Sequence, residues 1–360
     1  MEISNKTIET FVVIGLVLFT LVAAAWIIFA PKPDMEIIEE TTINFEVEVT
    51  VRNTGNAPAL NIPLRLALPV NHSPAQYVEK IEIPERPERR TEDLLGNEFV
   101  HYTVERLEPG SEKNFTFNML LRLVSVDFNI LKNKTDGIEH DENLTLYLLE
   151  SPYIDVNDLA IKNEARRIAR RSKNPADIAW NTYEWVITNI NYQQIAGEVD
   201  AATTLKVGEG GSAELGNLFV SLMRANGIPA RRISGWGHHF KKDEELFLQR
   251  FSHGWAEFYL PDYGWVPVDP TFGKTNKLAN FAKTDQNHVI MTVGAGIHFL
   301  ERGSYEKPLG DTEVNTDYKI KVKDIRTENL SVKRDLITAV ISITPLLFAL
   351  FIIYKRLGQR

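Results

Sequence analysis

Hydrophobic residues recur at every second position in three stretches of the N-terminal half. Ile43, Phe45, Val47, Val49 and Val51 alternate with acidic or polar residues, the period of a strand buried on one face. Asn53-Thr54-Gly55-Asn56 interrupts the run as turn residues do, and Leu60, Ile62, Leu64, Leu66 and Leu68 resume it before Pro69. Glu108-Pro109-Gly110-Ser111 then precedes a third run, Phe115, Phe117, Met119, Leu121 and Leu123. Short alternating strands separated by turns predict an antiparallel β-sandwich of immunoglobulin type. No acid–base or metal constellation falls within it, so a structural or partner-binding module is expected.

Near residue 157 the period lengthens. Asn157 to Lys173 reads as a helix, with Arg166, Arg167, Arg170 and Arg171 forming a solvated polar face. A second helix starts with Asn174 as N-cap and Pro175 at the first helical position, and runs to Asn189. After Gly208-Glu209-Gly210-Gly211, helical spacing begins again with Leu215, Leu218, Phe219, Leu222 and Met223, and Asn226-Gly227 closes it. Ser212 therefore stands at a helix start, where free amides and the positive end of the dipole favour developing negative charge. Serine is also an ordinary capping residue at such a place, and Glu214 is common in a first turn. Further on, 251–260 reads as a strand, Pro261-Asp262-Tyr263-Gly264 as a turn and 265–271 as the returning strand. His253 begins one strand and Asp269 ends its neighbour, so both lie toward one edge of the sheet. A hydroxyl at a helix start, then His, then Asp across a hairpin follows the orientation logic of acyl-transfer triads. Ser212, His253 and Asp269 are thus the candidate catalytic residues.

The ends of the chain differ from its middle. Phe11 to Ala30 carries no charge and is long enough to cross a bilayer, as is Leu336 to Tyr354 despite Pro345. Lys355, Arg356 and Arg360 follow the second run without an acid among them, which puts the C-terminus in the cytoplasm and residues 31–335 outside. Sequons at Asn71, Asn114, Asn133, Asn143 and Asn329 agree with an external location. The expected organisation is an N-terminal transmembrane anchor at 1–34, the sandwich at 35–152 and a second domain at 153–273. An extension of the ectodomain at 274–335 and a second span with a basic tail at 336–360 follow. With 360 residues, 44% of them hydrophobic, the chain has ample material for cores.

Composition removes several function classes. A formal net charge of −8 offers no diffuse positive field, so nucleic acid is not an expected partner. The absence of cysteine excludes disulfides, thiolate metal sites and a thiol nucleophile. His238-His239 lacks the i, i+4 spacing of a helical zinc pair, no calcium loop appears, and His288 and His298 read as ordinary residues. No metal and no cofactor is expected. Trp255 and Trp265 read as sheet-packing residues or as walls of an acyl groove.

Gly210 to Phe219, with Arg224-Ala225-Asn226-Gly227-Ile228-Pro229-Ala230-Arg231, resembles the nucleophile helix and following strand of the transglutaminase-like superfamily. His253-Gly254-Trp255-Ala256-Glu257, Gly264-Trp265 and Asp269-Pro270-Thr271 resemble its His and Asp segments. Asp93-Leu94-Leu95-Gly96-Asn97 is similar to an element of the N-terminal regions of membrane-anchored prokaryotic members. The resemblance implies an α+β fold: a papain-like transglutaminase core preceded by the antiparallel β-sandwich and flanked by two transmembrane helices. It covers 40–275, and 274–335 matches nothing nameable.

In that family the nucleophile is a cysteine; here its position holds Ser212. A thiol with an ordinary pKa of about 8.5 can be ionised by a neighbouring imidazolium, whereas a hydroxyl must lose its proton during attack. Three readings follow. The chain is a non-catalytic, membrane-tethered module binding a protein, peptide or cell-envelope polymer. Alternatively it is a serine-dependent acyltransferase or amidase, with Ser212 as nucleophile, His253 as base and then acid, and Asp269 orienting the imidazole. A third reading is an engineered cysteine-to-serine exchange.

Overall fold

The computed structural model describes residues 14–20, 22, 35–130, 142–170, 172, 174–195, 197–247, 252–307, 311–330, 344–345, 347–351 and 354. In chain order the sandwich strands are β1 (Glu36–Asn53), β2 (Ala59–Leu68), β3 (Gln76–Glu82), β4 (Arg89–Glu92), β5 (Glu98–Leu107) and β6 (Glu112–Asp127). Helices α1 (Leu159–Ala169) and α2 (Pro175–Asn189) follow, then β7 (Asn191–Tyr192), α3 (Ala201–Val207), β8 (Glu209–Gly210) and α4 (Ser212–Ala225). The remaining strands are β9 (Ala230–Gly237), β10 (Glu245–Phe247), β11 (Ser252–Leu260), β12 (Gly264–Val268), β13 (His288–Val293), β14 (Leu300–Arg302) and β15 (Val314–Asn329). The fold is mixed α+β and mostly sheet.

Two antiparallel sheets, ordered β10-β15-β1-β6-β3 and β14-β2-β5-β4, enclose one apolar core. The alternating residues of β1 and β6 point into it, and Ile43, Phe45, Val47, Val49 and Val51 are all fully buried. Burying each such side chain contributes about 1.5–3 kcal/mol, which fixes the register because a slip of one residue would turn them all to solvent. The second lobe is a four-stranded antiparallel sheet, β12-β11-β9-β13, with α4 laid against β9 and β11. Leu215, Leu218, Phe219, Leu222 and Met223 of α4 are fully buried in this lobe's core.

Helix α1 starts at Leu159 because the Asp158 carboxylate accepts from the Ala160 and Ile161 amides, and it is shorter than the predicted 157–173. Helix α2 has the predicted cap, Asn174 accepting from the Ala176 and Asp177 amides. The described residues of the segment 274–335, for which the sequence predicts only an extension of the ectodomain, are shared between the lobes. β13 completes the second sheet, β14 pairs with β2, and β15 pairs with β1 from Glu39↔Asn329 to Asn53↔Val314. β10, inserted between β9 and β11, adds to the edge of β15. Trp236 of β9 locks the lobes together: its buried ring packs on Phe45, Phe299 and Tyr318, and its indole N–H donates to the Tyr318 hydroxyl at 3.2 Å.

The predicted spans at 11–30 and 336–354 lie largely outside the described residues. Among the described residues no helix is long and apolar enough to cross a membrane.

Candidate active-site groove

The loop before α4 is pinned before the helix begins. β8 pairs in parallel with β7, and the Gln193 amide donates to the Gly210 carbonyl at 2.9 Å. Gly210 must be glycine, since a Cβ there would lie 2.5 Å from the Glu214 Cβ. Glu214 is buried and turns back, accepting from the Gly211 amide at 2.9 Å and from the Val199 amide at 3.3 Å. With Gly211 as N-cap, Ser212 occupies the first helical position, and no side chain caps the first-turn amides.

His253 and Asp269 meet as the hairpin allows. Ala256 pairs with Val268, so Asp269 falls just beyond the end of β12, level with Trp255 and two residues from His253. The Asp269 Oδ1 accepts from the Thr271 and Phe272 amides at 2.7 and 3.0 Å, starting the 3-10 turn Phe272–Lys274. That fixes the carboxylate with Oδ2 free, and Oδ2 stands 2.6 Å from His253 Nε2. The imidazole is sandwiched against Phe272, with ring centres 4.4 Å apart, and against Trp255 at 5.8 Å. Both partners are buried, so their contact is little screened by water.

A second histidine shares the same oxygen. His288 Nε2 lies 3.0 Å from Asp269 Oδ2, and its Nδ1 lies 2.7 Å from Asp285 Oδ1. Burial pushes His288 down, but the Asp285 charge, the hydrogen bonds to Asp269 and Asp285 and the Asp269 charge outweigh it and raise it to about 10. Burial pushes Asp269 up; the charges and hydrogen bonds of the two histidines prevail and hold it well below the usual carboxylate range. Asp285 is lowered in the same way, burial opposing and His288 winning. Behind His253 the array alternates in charge: carboxylate, imidazolium, carboxylate. The sequence reading treats His288 as ordinary, and nothing local marks it, since its partners lie three and nineteen residues away.

Ser212 faces this array across a groove of about 980 Å³ that both Ser212 and His253 line. Its Oγ accepts from the Gly254 amide at 3.3 Å. Among the described residues Ser212 and His253 make no hydrogen bond with each other. The groove also takes in Gln194, Glu198 and Arg232, and continues along Phe299 and Tyr318 onto the sandwich. Trp255 packs under the imidazole, whereas Trp265 lies away from the groove beneath the Arg231 guanidinium at 4.0 Å. His238 and His239 diverge toward Glu244 and Asn287.

His253, Asp269 and His288 present ligand-type atoms within 4.8 Å of one another. Two ligands on a tetrahedral centre with bonds of about 2.0–2.1 Å stand roughly 3.3 Å apart, so the 2.6 Å contact of His253 with Asp269 is a hydrogen bond and leaves no room for an ion between them.

Residues 162–270 match the model of the transglutaminase-like superfamily. An uncharacterized protein of Haemophilus influenzae is 30% identical over 152 residues, 37% of this chain and 41% of that protein. A protein-glutamine gamma-glutamyltransferase of Pseudomonas aeruginosa is 39% identical over 54 residues, 14% of this chain and 8% of that enzyme. The chain thus spans less than half the length of these curated relatives. A candidate cysteine protease from Cytophaga hutchinsonii superimposes with a TM-score of 0.55 at 14% identity, covering 82% of this chain and 93% of that one. The second lobe is therefore a transglutaminase-like core, and the likeness to the Cytophaga hutchinsonii structure extends to the fold.

Proposed function

We propose that the chain is a non-catalytic binding module, held outside the cytoplasm by the apolar runs at 11–30 and 336–354, which uses the groove at Ser212 to hold a protein, peptide or cell-envelope polymer. The supporting observation is the setting of the Ser212 hydroxyl. Its oxygen accepts from Gly254 N–H at 3.3 Å and offers no hydrogen bond to His253. A serine attacks a carbonyl only if a base takes its proton as the new bond forms. A thiolate at this place would need no such transfer, because the proton would already be gone. Replacing sulfur by oxygen therefore preserves the shape of the groove and removes the resting nucleophile.

One observation favours a second reading, a serine-dependent acyltransferase or amidase: the buried His253–Asp269 contact at 2.6 Å. In that reaction Ser212 Oγ bonds to an amide carbonyl carbon and its proton passes to His253 Nδ1. The tetrahedral centre then expels the amine, which takes that proton, and the ester is cleaved by water or a second amine. A fluorophosphonate probe applied to the full-length chain separates the two. We expect no labelling above the level of Ser212→Ala; labelling of the wild type alone would overturn the binding-module reading.

A further inference from the structure

Strand β9 alternates its side chains, and Arg231 and Arg232 go to opposite faces. Arg231 pairs with Glu257 at 2.7 Å. Arg232 turns under α4 into the groove floor, where it is 5% exposed. Its Nη1 donates to the Ile233 carbonyl and to Ser234 Oγ, the latter at 3.3 Å. Its Nε is buried without a partner, and among the described residues Nη2 has no acceptor and the guanidinium no ion pair. The carboxylates whose charge reaches it make their hydrogen bonds elsewhere, Glu198 with the Asn217 amide at 2.7 Å, Glu214 with the Gly211 and Val199 backbone amides, and Asp269 with His253 and His288.

The surroundings are shaped to this side chain. A Cβ on Gly254 would collide with the guanidinium carbon and both terminal nitrogens, and a Cβ on Gly216 of α4 would stand 3.1 Å from Arg232 Cδ. Gly254 is also the residue whose amide reaches Ser212 Oγ. The guanidinium thus lies one residue's width from the start of α4, where the first-turn amides have no side-chain cap. A buried, unpaired guanidinium costs several kcal/mol unless an anion completes it, and its planar fork matches a carboxylate.

We propose that Arg232 and the first turn of α4 form a carboxylate site that takes the free C-terminal carboxylate of a peptide, set where an acyl group would stand against Ser212. The proposal rests on the binding-module reading and names its ligand. One carboxylate oxygen accepts from Arg232, the other from the free amides of α4. The apolar groove beyond, along Met291, Phe299 and Tyr318, accommodates the residues that precede the chain end.

Calorimetric titration of the full-length chain with N-acetyl-alanyl-glutaminyl-alanine, as the free acid and as the C-terminal carboxamide, tests it. The acid is expected to bind about ten- to hundred-fold more tightly than the amide, the worth of charge-assisted hydrogen bonds. Arg232→Gln should abolish that preference, so that acid and carboxamide bind with equal affinity. Arg232→Met, which removes the charge and keeps the bulk, serves where the glutamine variant does not fold. Equal binding of acid and amide by the wild type, or a preference that survives loss of Arg232, overturns the carboxylate site and leaves the binding module standing. Failure of both peptides to bind overturns both.

Discussion

Replacing His288 by glutamine tests whether the charged array behind the groove holds the fold together. The wild-type imidazolium spans Asp269 and Asp285 at 3.0 and 2.7 Å. Its folded-state pKa is about 10 against an ordinary 6.5. Because the folded value is the raised one, the stabilisation is complete below pH 6.5 and is lost as pH rises toward 10. At about 1.4 kcal/mol per pH unit, wild type should exceed His288→Gln by about 5 kcal/mol at pH 6, about 3 at pH 8 and under about 1 at pH 10. Urea unfolding followed by tryptophan fluorescence at these three pH values measures the difference directly. A gap of the same size at pH 6 and pH 10 would refute the assignment of a cationic His288, whatever its magnitude.

Other perturbations follow from the same contacts. Trp236→Ala removes the ring shared by the two lobes and should cost about 3–5 kcal/mol, read as a lower urea midpoint for the whole chain. Glu257 is pushed up by burial but held at about 2 by Arg231 and His72, so its contribution is present above pH 4.5 and fades as pH falls toward 2. Glu257→Gln should therefore cost about 3–5 kcal/mol at pH 7 and progressively less in acid, measured by unfolding across pH 2–7. Ser212→Cys introduces the sole thiol of the chain. Iodoacetamide should alkylate it at pH 6 at least about tenfold faster than a free thiol of pKa about 8.5, and Ser212→Cys with His253→Gln should lose most of that advantage.

Much of this arrangement is legible in the chain because it is local. The buried faces of β1 and β6 are written as strict alternation, and the start of α4 is marked by Gly210-Gly211 on one side and helical spacing on the other. The hairpin at 261–264 brings Asp269 level with Trp255, two residues from His253, through a short, nearly forced pairing. What escapes a reading along the chain is pairing over distance. β15 finds β1 more than 250 residues away, and the choice depends on which edge the assembled core leaves open. His288 escapes for the same reason: it stands beside Asp269 only because β13 pairs with β9. Arg232 carried a faint signal, a charge on the face of β9 that also bears the buried Ala230 and Trp236, and in a strand packed beneath a helix that placement demands a partner or a ligand.

On the binding-module reading proposed above, His288 also bears on why an oxygen at position 212 would remain inert. Any base role for His253 requires a second positive ring beside the first, and the two ring centres are 5.7 Å apart. At an effective dielectric of about 20, two unit charges at that distance repel by about 3 kcal/mol, roughly two orders of magnitude in rate. Asp269 Oδ2 serves both rings, so one carboxylate oxygen is shared between His253 and the cationic His288. A thiol tolerates this opposition because its own proton is weakly held; a hydroxyl does not. The consequence is a reversed sign. His288→Gln, which weakens the fold, removes the positive ring that stands 5.7 Å from His253. In the Ser212→Cys background it should raise the rate of iodoacetamide alkylation at pH 6 by up to about thirtyfold, the ceiling set by full ionisation of the thiol. An unchanged or slower rate in that double variant, with the protein still folded at the assay temperature, would show that His288 does not restrain His253.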